Sequence, residues 1–325
     1  MPDIGDEQSG QQPIGFAAGA LALLLAALWG GTPVAVKFSL DRLPMMAVAG
    51  IRFAMAAAFM LLWCRVERSG LRLRFGQVLP ALMTGLLLLL QIGLFNLAID
   101  LSNASHSTLL INTFIVWVVA IEHFVMRSVQ LDARKVAGLL TAGLGVALIL
   151  LTTESGGGAS GSNAASLWGD LAMVASAVVL GVKIIYTKHA MRTVEPGKLI
   201  FWHDVIGVAG FAVWSLCFEQ ADVRPFLSAA LFDDSTIRNA TLGLLYQGVV
   251  VAGFCFAAQA LLLRRHSASQ LSVFSFATPL FGVTYAVLLR SEALSSWLAV
   301  SGIAVAAGIL LVNWPARRRG GGGAP

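Results

Sequence analysis

The stretch Ala27–Lys37, reading ALWGGTPVAVK, is echoed by Val178–Lys188, reading VVLGVKIIYTK, with Gly30 set against Gly181 and Lys37 against Lys188. Both lie inside long apolar runs. The echo continues outward from them. Pro44 meets Pro196 and Arg52 meets Asp204 at nearly the same offset, RSVQL from Arg127 matches RSEAL from Arg290, and Gly138 matches Gly302 after a one-residue gap. Matches in constant order at a near-constant offset mark an internal repeat. The one Gly/Ser-rich stretch between apolar segments, SGGGASGSNAAS over residues 155–166, falls near mid-chain, where a seam between two halves belongs.

Hydrophobic residues fill 57% of the 325 positions and charged residues 12%, about half the charged share of a soluble domain. The solvent for most of this chain is lipid. A bilayer core of about 30 Å asks for roughly 20 apolar residues per helix. Such windows fit at Ile14 to Val36, Leu43 to Cys64, Val78 to Ile99, Ala104 to Ile121 and Val136 to Thr152. A second set fits at Leu167 to Thr187, Leu199 to Phe218, Asn239 to Leu263, Ser267 to Leu289 and Leu294 to Trp314. The expected fold is an all-α membrane protein of ten transmembrane helices. Residues 1–154 form a first five-helix repeat, 155–166 a linker, 167–316 a second repeat and 317–325 a disordered basic and Gly-rich tail. Five is odd, so the second repeat enters the membrane from the opposite side and the repeats are inverted. Inversion suits two halves that open a central site to each side in turn.

Charge placement sets the threading. With the N-terminus inside, the inner loops hold Arg65, Arg68, Arg72, Arg74, Arg127, Arg134, Lys135, Lys188, Arg192, Lys198, Arg264, Arg265, Arg317, Arg318 and Arg319. The outer loops hold only Lys37, Arg42, Arg224, Arg238 and Arg290. A threefold excess of basic residues places both termini in the cytoplasm. The net charge of +5 is thus a topology signal and predicts no nucleic-acid partner. The first apolar run is longer than a signal-peptide core and has no basic region before it, so it reads as a retained helix.

Cys64, Cys217 and Cys255 have no metal-ligand spacing and read as packing residues. No metal or cofactor is expected. The chain contains no phosphate-binding glycine loop with its lysine, no HExxH, no paired intramembrane aspartates and no nucleophile elbow, which argues against an enzyme. It has no filter-like loop, which argues against a channel.

LWGGTPVAVK in the first window, Arg52 in the second, and ATPLFGVTYAVLLRSEALSSWLAVSGIAVAAGILLV at residues 277–312 resemble the EamA-type branch of the drug/metabolite transporter superfamily. In that family each half ends with a proline, about a dozen residues, a glutamate and a glycine-rich helix. Here these are Pro279, Glu292, Gly302 and Gly308, while the first half has Val116 and Val129 where the proline and glutamate would stand. The resemblance implies ten helices in the bacterial inner (plasma) membrane and export of amino acids or similar small metabolites. An aromatic amino acid exporter is one candidate. Nucleotide sugars, purines or drug-like molecules are the alternative substrates.

Polar residues in hydrocarbon are costly and mark interior or wet positions. Arg52 reads either as a contact for a substrate carboxylate or as a charge tied to helix carbonyls or an acidic partner. Lys183 and Asp204 are expected at similar depth and in a position to pair, either as a structural ion pair or as groups that handle protons or substrate, whereas His203 points about 100° away from Asp204 around the helix and need not share the site. Candidate substrate contacts are Trp29, Thr32, Gln91, Asn96, Asn112, Trp117, Tyr186, Tyr246, Gln247 and Ser275, uncharged groups suited to an amphipathic small molecule. Gly30, Gly31 and Pro33, and separately Pro279, are candidate hinges, because proline lacks a donor and glycine is flexible. Small residues four apart, Gly138 with Ala142 and Gly302 with Ala306, permit close helix packing within one chain or in a homodimer.

Overall fold

The computed structural model describes residues 15–66, 68, 70–125, 132–155, 165–219, 235–265, 274 and 277–313. In chain order the helices are α1 (Phe16–Gly30), α2 (Thr32–Leu40), α3 (Met45–Val66), α4 (Phe75–Leu101), α5 (Ala104–Ile111), α6 (Phe114–Phe124) and α7 (Ala133–Ser155). There follow α8 (Leu167–Ala190), α9 (Pro196–Phe218), α10 (Ser235–Leu245), a π-helical segment (Tyr246–Cys255), α11 (Phe256–Arg265), α12 (Ala277–Arg290) and α13 (Ser296–Asn313). Among the described residues there is no strand. Eight spans of 18 to 27 residues are long and apolar enough to cross a membrane, and Ala277–Arg290 and Ser296–Leu311 are shorter apolar helices. The chain is an integral membrane protein of helices, as its composition requires, since every backbone group in hydrocarbon must find its partner inside the segment.

Three spans are interrupted. α1 stops at Gly30 and α2 restarts at Thr32, with Pro33 in its first turn, where a missing N–H costs nothing. The break expected at Gly30–Pro33 is therefore present. Tyr246 fills it by donating its hydroxyl hydrogen to the Leu28 carbonyl, and a Cβ on Gly31 would lie 2.6 Å from that hydroxyl. A second break separates α5 from α6 at Asn112–Thr113, and the third is the π-helical segment. Neither was visible in the sequence. The π-helical segment sets Gly248 and Gly253 against Met55 and Phe59 of α3, where added Cβ atoms would come within 2.7 Å and 2.8 Å of them. Pro279 is the third residue of α12 as described, in its first turn; residues 275 and 276 before that helix lie outside the described residues.

The two halves pack by exchange. α3 lies on α9, α4 on α8, α7 on α13, α2 on α10, α1 on α12 and α5 on α12. One buried apolar cluster joins Val36, Phe95, Ile99, Leu109, Leu110 and Ile149 of the first half with Met173 and Leu298 of the second. Burial of each such side chain contributes about 1.5–3 kcal/mol in water, but in lipid the gain comes from close packing instead. Small residues supply that closeness. A Cβ on Gly308 of α13 would lie 2.4 Å from the Ala142 nitrogen and 2.6 Å from the Gly138 carbonyl of α7, so the Gly138/Ala142 stripe is used inside the chain.

One end of the bundle is heavily tied. The Glu292 carboxylate accepts the Ala104 and Ser105 amides at 2.8 and 2.9 Å, and the Glu219 carboxylate accepts those of Met46 and Ala47 at 3.2 and 3.0 Å. Each closes a helix N-terminus, where free N–H groups and the helix dipole favour an anion. Lys37 does the converse at the C-terminus of α4, donating to the carbonyls of Ile99, Asp100 and Ser102 at 2.7 to 3.2 Å. Asp170 joins Ser102 and His106, and Arg290 bonds Asp41. At the opposite, Arg72 end the described links between elements include two from side chains to backbone. Gln77 donates to the Thr193 carbonyl and Trp202 to that of Leu71, both at 2.8 Å.

Candidate functional site

Charged residues in the interior gather where α3, α4, α8 and α9 meet. Arg52, Gln91, Lys183 and Asp204 each lie seven or more positions from the nearer end of their helix, which is about 10 Å of helix at 1.5 Å per residue. None can reach an interface without leaving its neighbours. Lys183 Nζ donates to Gln91 Oε1 at 2.9 Å. Gln91 Nε2 in turn donates to Ser176 Oγ at 3.2 Å, and Ser176 Oγ donates back to the Gln91 carbonyl at 2.9 Å. The second link is between His203 Nδ1 and Asp204 Oδ1, 2.9 Å apart. Arg52, Lys183 and Asp204 are all within coulombic range of one another.

The expected Lys183–Asp204 ion pair is not formed: Lys183 turns to Gln91, and Asp204 to His203. His203 shares the site after all, because its long side chain bends back to the carboxylate beside it despite the 100° between adjacent helical positions. The alternative that ties Arg52 to carbonyls or an acid is also unmet. Its guanidinium, on a residue 6% exposed, sits over the ring of Phe53 at 5.3 Å, and neither Nε nor Nη1 has a hydrogen-bond partner. Asp204, 3% exposed, has an unpartnered Oδ2. Buried polar atoms of native proteins are nearly always satisfied, so these orphaned donors and this orphaned acceptor mark a place with bonding capacity to spare.

Of the uncharged candidates among the described residues, only Gln91 joins this set. Asn96 Nδ2 donates to the Met45 carbonyl at 2.7 Å, Asn112 Nδ2 to Thr108 one turn back at 2.7 Å, and Gln247 Nε2 to the Ala35 carbonyl and to Ser39 Oγ. These side chains tie helices or stitch their own. Tyr186 packs on a cluster containing Ala81, Ala190, Val194 and Leu199, and Trp29 sets its ring edge to Phe256. Thr32 Oγ1 and Trp117 Nε1 are buried without partners, on α2 and α6. Ser275 lies outside the described residues. Gly70, Arg72, Leu73, Arg74, Phe75 and Lys198 line a surface cleft at the Arg72 end, which shares no residue with the buried set. Among the described residues no group of three His, Cys, Asp or Glu side chains is placed to hold a metal ion. Sequence reasoning did not find Ser176 or the His203 bond; the only available signal was polarity inside an apolar run.

The model of the EamA-like transporter family matches residues 17–151 and 167–314. The chain is 25% identical over 304 residues to a protein of Salmonella typhimurium named a probable amino-acid metabolite efflux pump, covering 90% of this chain and 93% of that one. It is 20% identical over 293 residues to the uncharacterized transporter YoaV of Bacillus subtilis, covering 90% and 95%. One solved crystal structure superposes with a TM-score of 0.63 at 18% identity, over 93% of this chain and 99% of the other, which extends the likeness to the fold.

Proposed function

This chain belongs to the EamA-like transporter family, and from that premise we propose that it is a secondary transporter that exports amino acids or similar small metabolites by alternating access. The observation that carries the reading is the interior set Arg52, Gln91, Lys183, His203 and Asp204, drawn from both halves, in which an arginine and an aspartate hold unused hydrogen-bonding capacity. A purely structural interior in lipid has no reason to keep such groups. The name of the Salmonella relative supports the substrate class.

The architecture we propose is ten spans in two inverted repeats, with the shorter helices α12 and α13 as the ninth and tenth. Exchange packing supports it: α4 with α8 answers α10 with α2, and α6 with α8 answers α1 with α12. The family match falls on two stretches either side of the linker. Export places the Arg72 end in the cytoplasm of a bacterial inner membrane, where the basic residues concentrate. In a Cys217→Ser background, a cysteine at Asp41 should react with an impermeant maleimide added to intact cells and one at Arg72 should not. The reverse pattern overturns the threading.

The deciding experiment loads proteoliposomes with radiolabelled solutes and follows efflux. Saturable movement of one or more α-amino acids is the expected result. Movement of a nucleotide sugar or purine with no amino acid moved would replace the substrate class and keep the transporter.

A further inference from the structure

We propose that Arg52 and Asp204 recognise the two backbone charges of an α-amino acid, Arg52 taking the α-carboxylate and Asp204 Oδ2 the α-ammonium. This rests on the transporter reading above and narrows it to one chemical feature of the substrate.

The argument starts from what each side chain lacks. Arg52 carries planar N–H donors matched to a carboxylate, and no hydrogen bond or ion pair within the described residues engages them. Asp204 is bonded through one oxygen only. An ionised carboxylate accepts and cannot donate, so the His203 ring nitrogen is the donor in that bond and Oδ2 keeps its full accepting capacity. Arg52 and Asp204 feel each other's charge, yet no ion pair joins them. The guanidinium lies over the Phe53 ring, that ring stands edge-on to His203, and His203 bonds Asp204, so cation and anion share one neighbourhood; leaving both buried charges unpaired there is costly. An α-amino acid carries its own anion and cation on a single carbon and can satisfy both at once.

The remaining members of the set narrow the choice further. Lys183 is held by Gln91, which is held by Ser176, so the second cation has its hydrogen bond elsewhere and makes no ion pair with Asp204, although it feels the carboxylate's charge. Formally the site holds two cations, Arg52 and Lys183, against one anion. A solute bearing only an ammonium would add to that excess, whereas a carboxylate relieves it. The orphaned Asp204 oxygen then separates a free amino acid from its N-acylated form, which has nothing to offer Oδ2. His203 is a positioning residue, fixing which oxygen of Asp204 is turned to the ligand.

The test uses wild-type protein in proteoliposomes. For an amino acid that the protein moves, three relatives are used as competitors: the α-amide, which lacks the carboxylate charge; the decarboxylated amine; and the N-acetyl derivative, which lacks the ammonium. Each should compete roughly 10- to 100-fold more weakly than the parent, the loss expected for a charge-assisted hydrogen bond. Arg52→Met should make the parent and its amide equal competitors, and Asp204→Asn should do the same for the parent and its N-acetyl form. If any of the three charge-deleted relatives competes as well as the parent in wild type, the two-charge proposal is overturned while amino acid transport stands. Movement of other metabolites with no amino acid among them overturns both this proposal and the substrate class. If a variant fails to fold, the wild-type series still decides.

Discussion

Two seams between helices, α4 against α8 and α2 against the π-helical segment, are each closed by a buried glutamine, and they differ in what the glutamine holds. Gln247 bonds a backbone carbonyl and Ser39, whose hydroxyl returns to the carbonyls of Ala35 and Ala240. That seam is neutral, with Gln247 Oε1 left over. Gln91 bonds Ser176 and also receives Lys183, next to an arginine and an aspartate with unfilled capacity. Both seams hold helices together, but only the second stores more charge than its bonds consume. In a membrane interior, polarity by itself, even with an atom left over, therefore says little about ligand binding, and unmatched charge says more.

The change that would break this comparison most sharply is Arg52→Met. Because no described group relies on Arg52 for a hydrogen bond, removing it orphans nothing, and the melting temperature in detergent should hold or rise. Transport should fall about 10- to 100-fold or more, the worth of one or two charge-assisted bonds. A lowered melting temperature with transport intact would move Arg52 to the structural side and make the two seams alike.

Next in size is a change to a helix crossing. A Cβ on Gly30 would lie 2.8 Å from the Thr278 carbonyl and 2.9 Å from the Gly282 nitrogen. Both are backbone atoms that cannot rotate away. Gly30→Ala should cost about 1–3 kcal/mol, the usual penalty for forcing an extra carbon into a packed site, seen as a loss of folded protein and a lower melting temperature. Gly282→Ala should be no milder, since its Cβ would fall 2.1 Å from Thr108 Cγ2.

The all-helical, membrane-spanning character was legible in the sequence, because long apolar runs are a direct consequence of a lipid solvent. The Gly30–Pro33 break was legible too, since proline and glycine act locally. Residues whose roles depend on distant partners were not. The polarity of Gln91 and Gln247 was visible in the sequence, but only the three-dimensional arrangement shows that one meets Lys183 and the other Ser39. Lys183 and Asp204 were correctly placed in the interior, yet their pairing was argued from depth alone, and depth leaves rotation about the helix undecided. Lys37 looked like a loop charge; it closes three carbonyls at the end of α4, a role set by a helix that begins nearly 40 residues later.

A smaller effect is expected at the neutral seam. Gln247→Leu removes the bonds to Ala35 and Ser39, but Ser39 keeps its own carbonyl partners, so the loss should be about 1 kcal/mol of stability. Substrate competition by charge-deleted analogues should be unaltered. A change in that selectivity would show that the substrate touches this seam as well, and the contrast between the two would weaken.

The smallest effect is expected at Gly181, and its value lies in its sign. The internal repeat sets Gly181 against Gly30, which would suggest that both glycines are required for the same reason. Their surroundings say otherwise: a Cβ on Gly181 would meet Trp117 Cβ and the Val118 nitrogen at 3.4 Å and the Phe114 carbonyl at 3.5 Å, at the edge of ordinary contact. Alanine in a helix interior is favoured over glycine by roughly 0.5–1 kcal/mol because less backbone freedom is lost on folding. Gly181 lies well inside α8, so Gly181→Ala should leave the melting temperature unchanged or raise it slightly, opposite to Gly30→Ala. If the proposed alternating access brings α8 and α6 as close in another state as α1 and α12 are here, Gly181→Ala should slow transport without lowering stability. A destabilisation equal to that of Gly30→Ala would instead mean that both crossings are already closed in the resting protein.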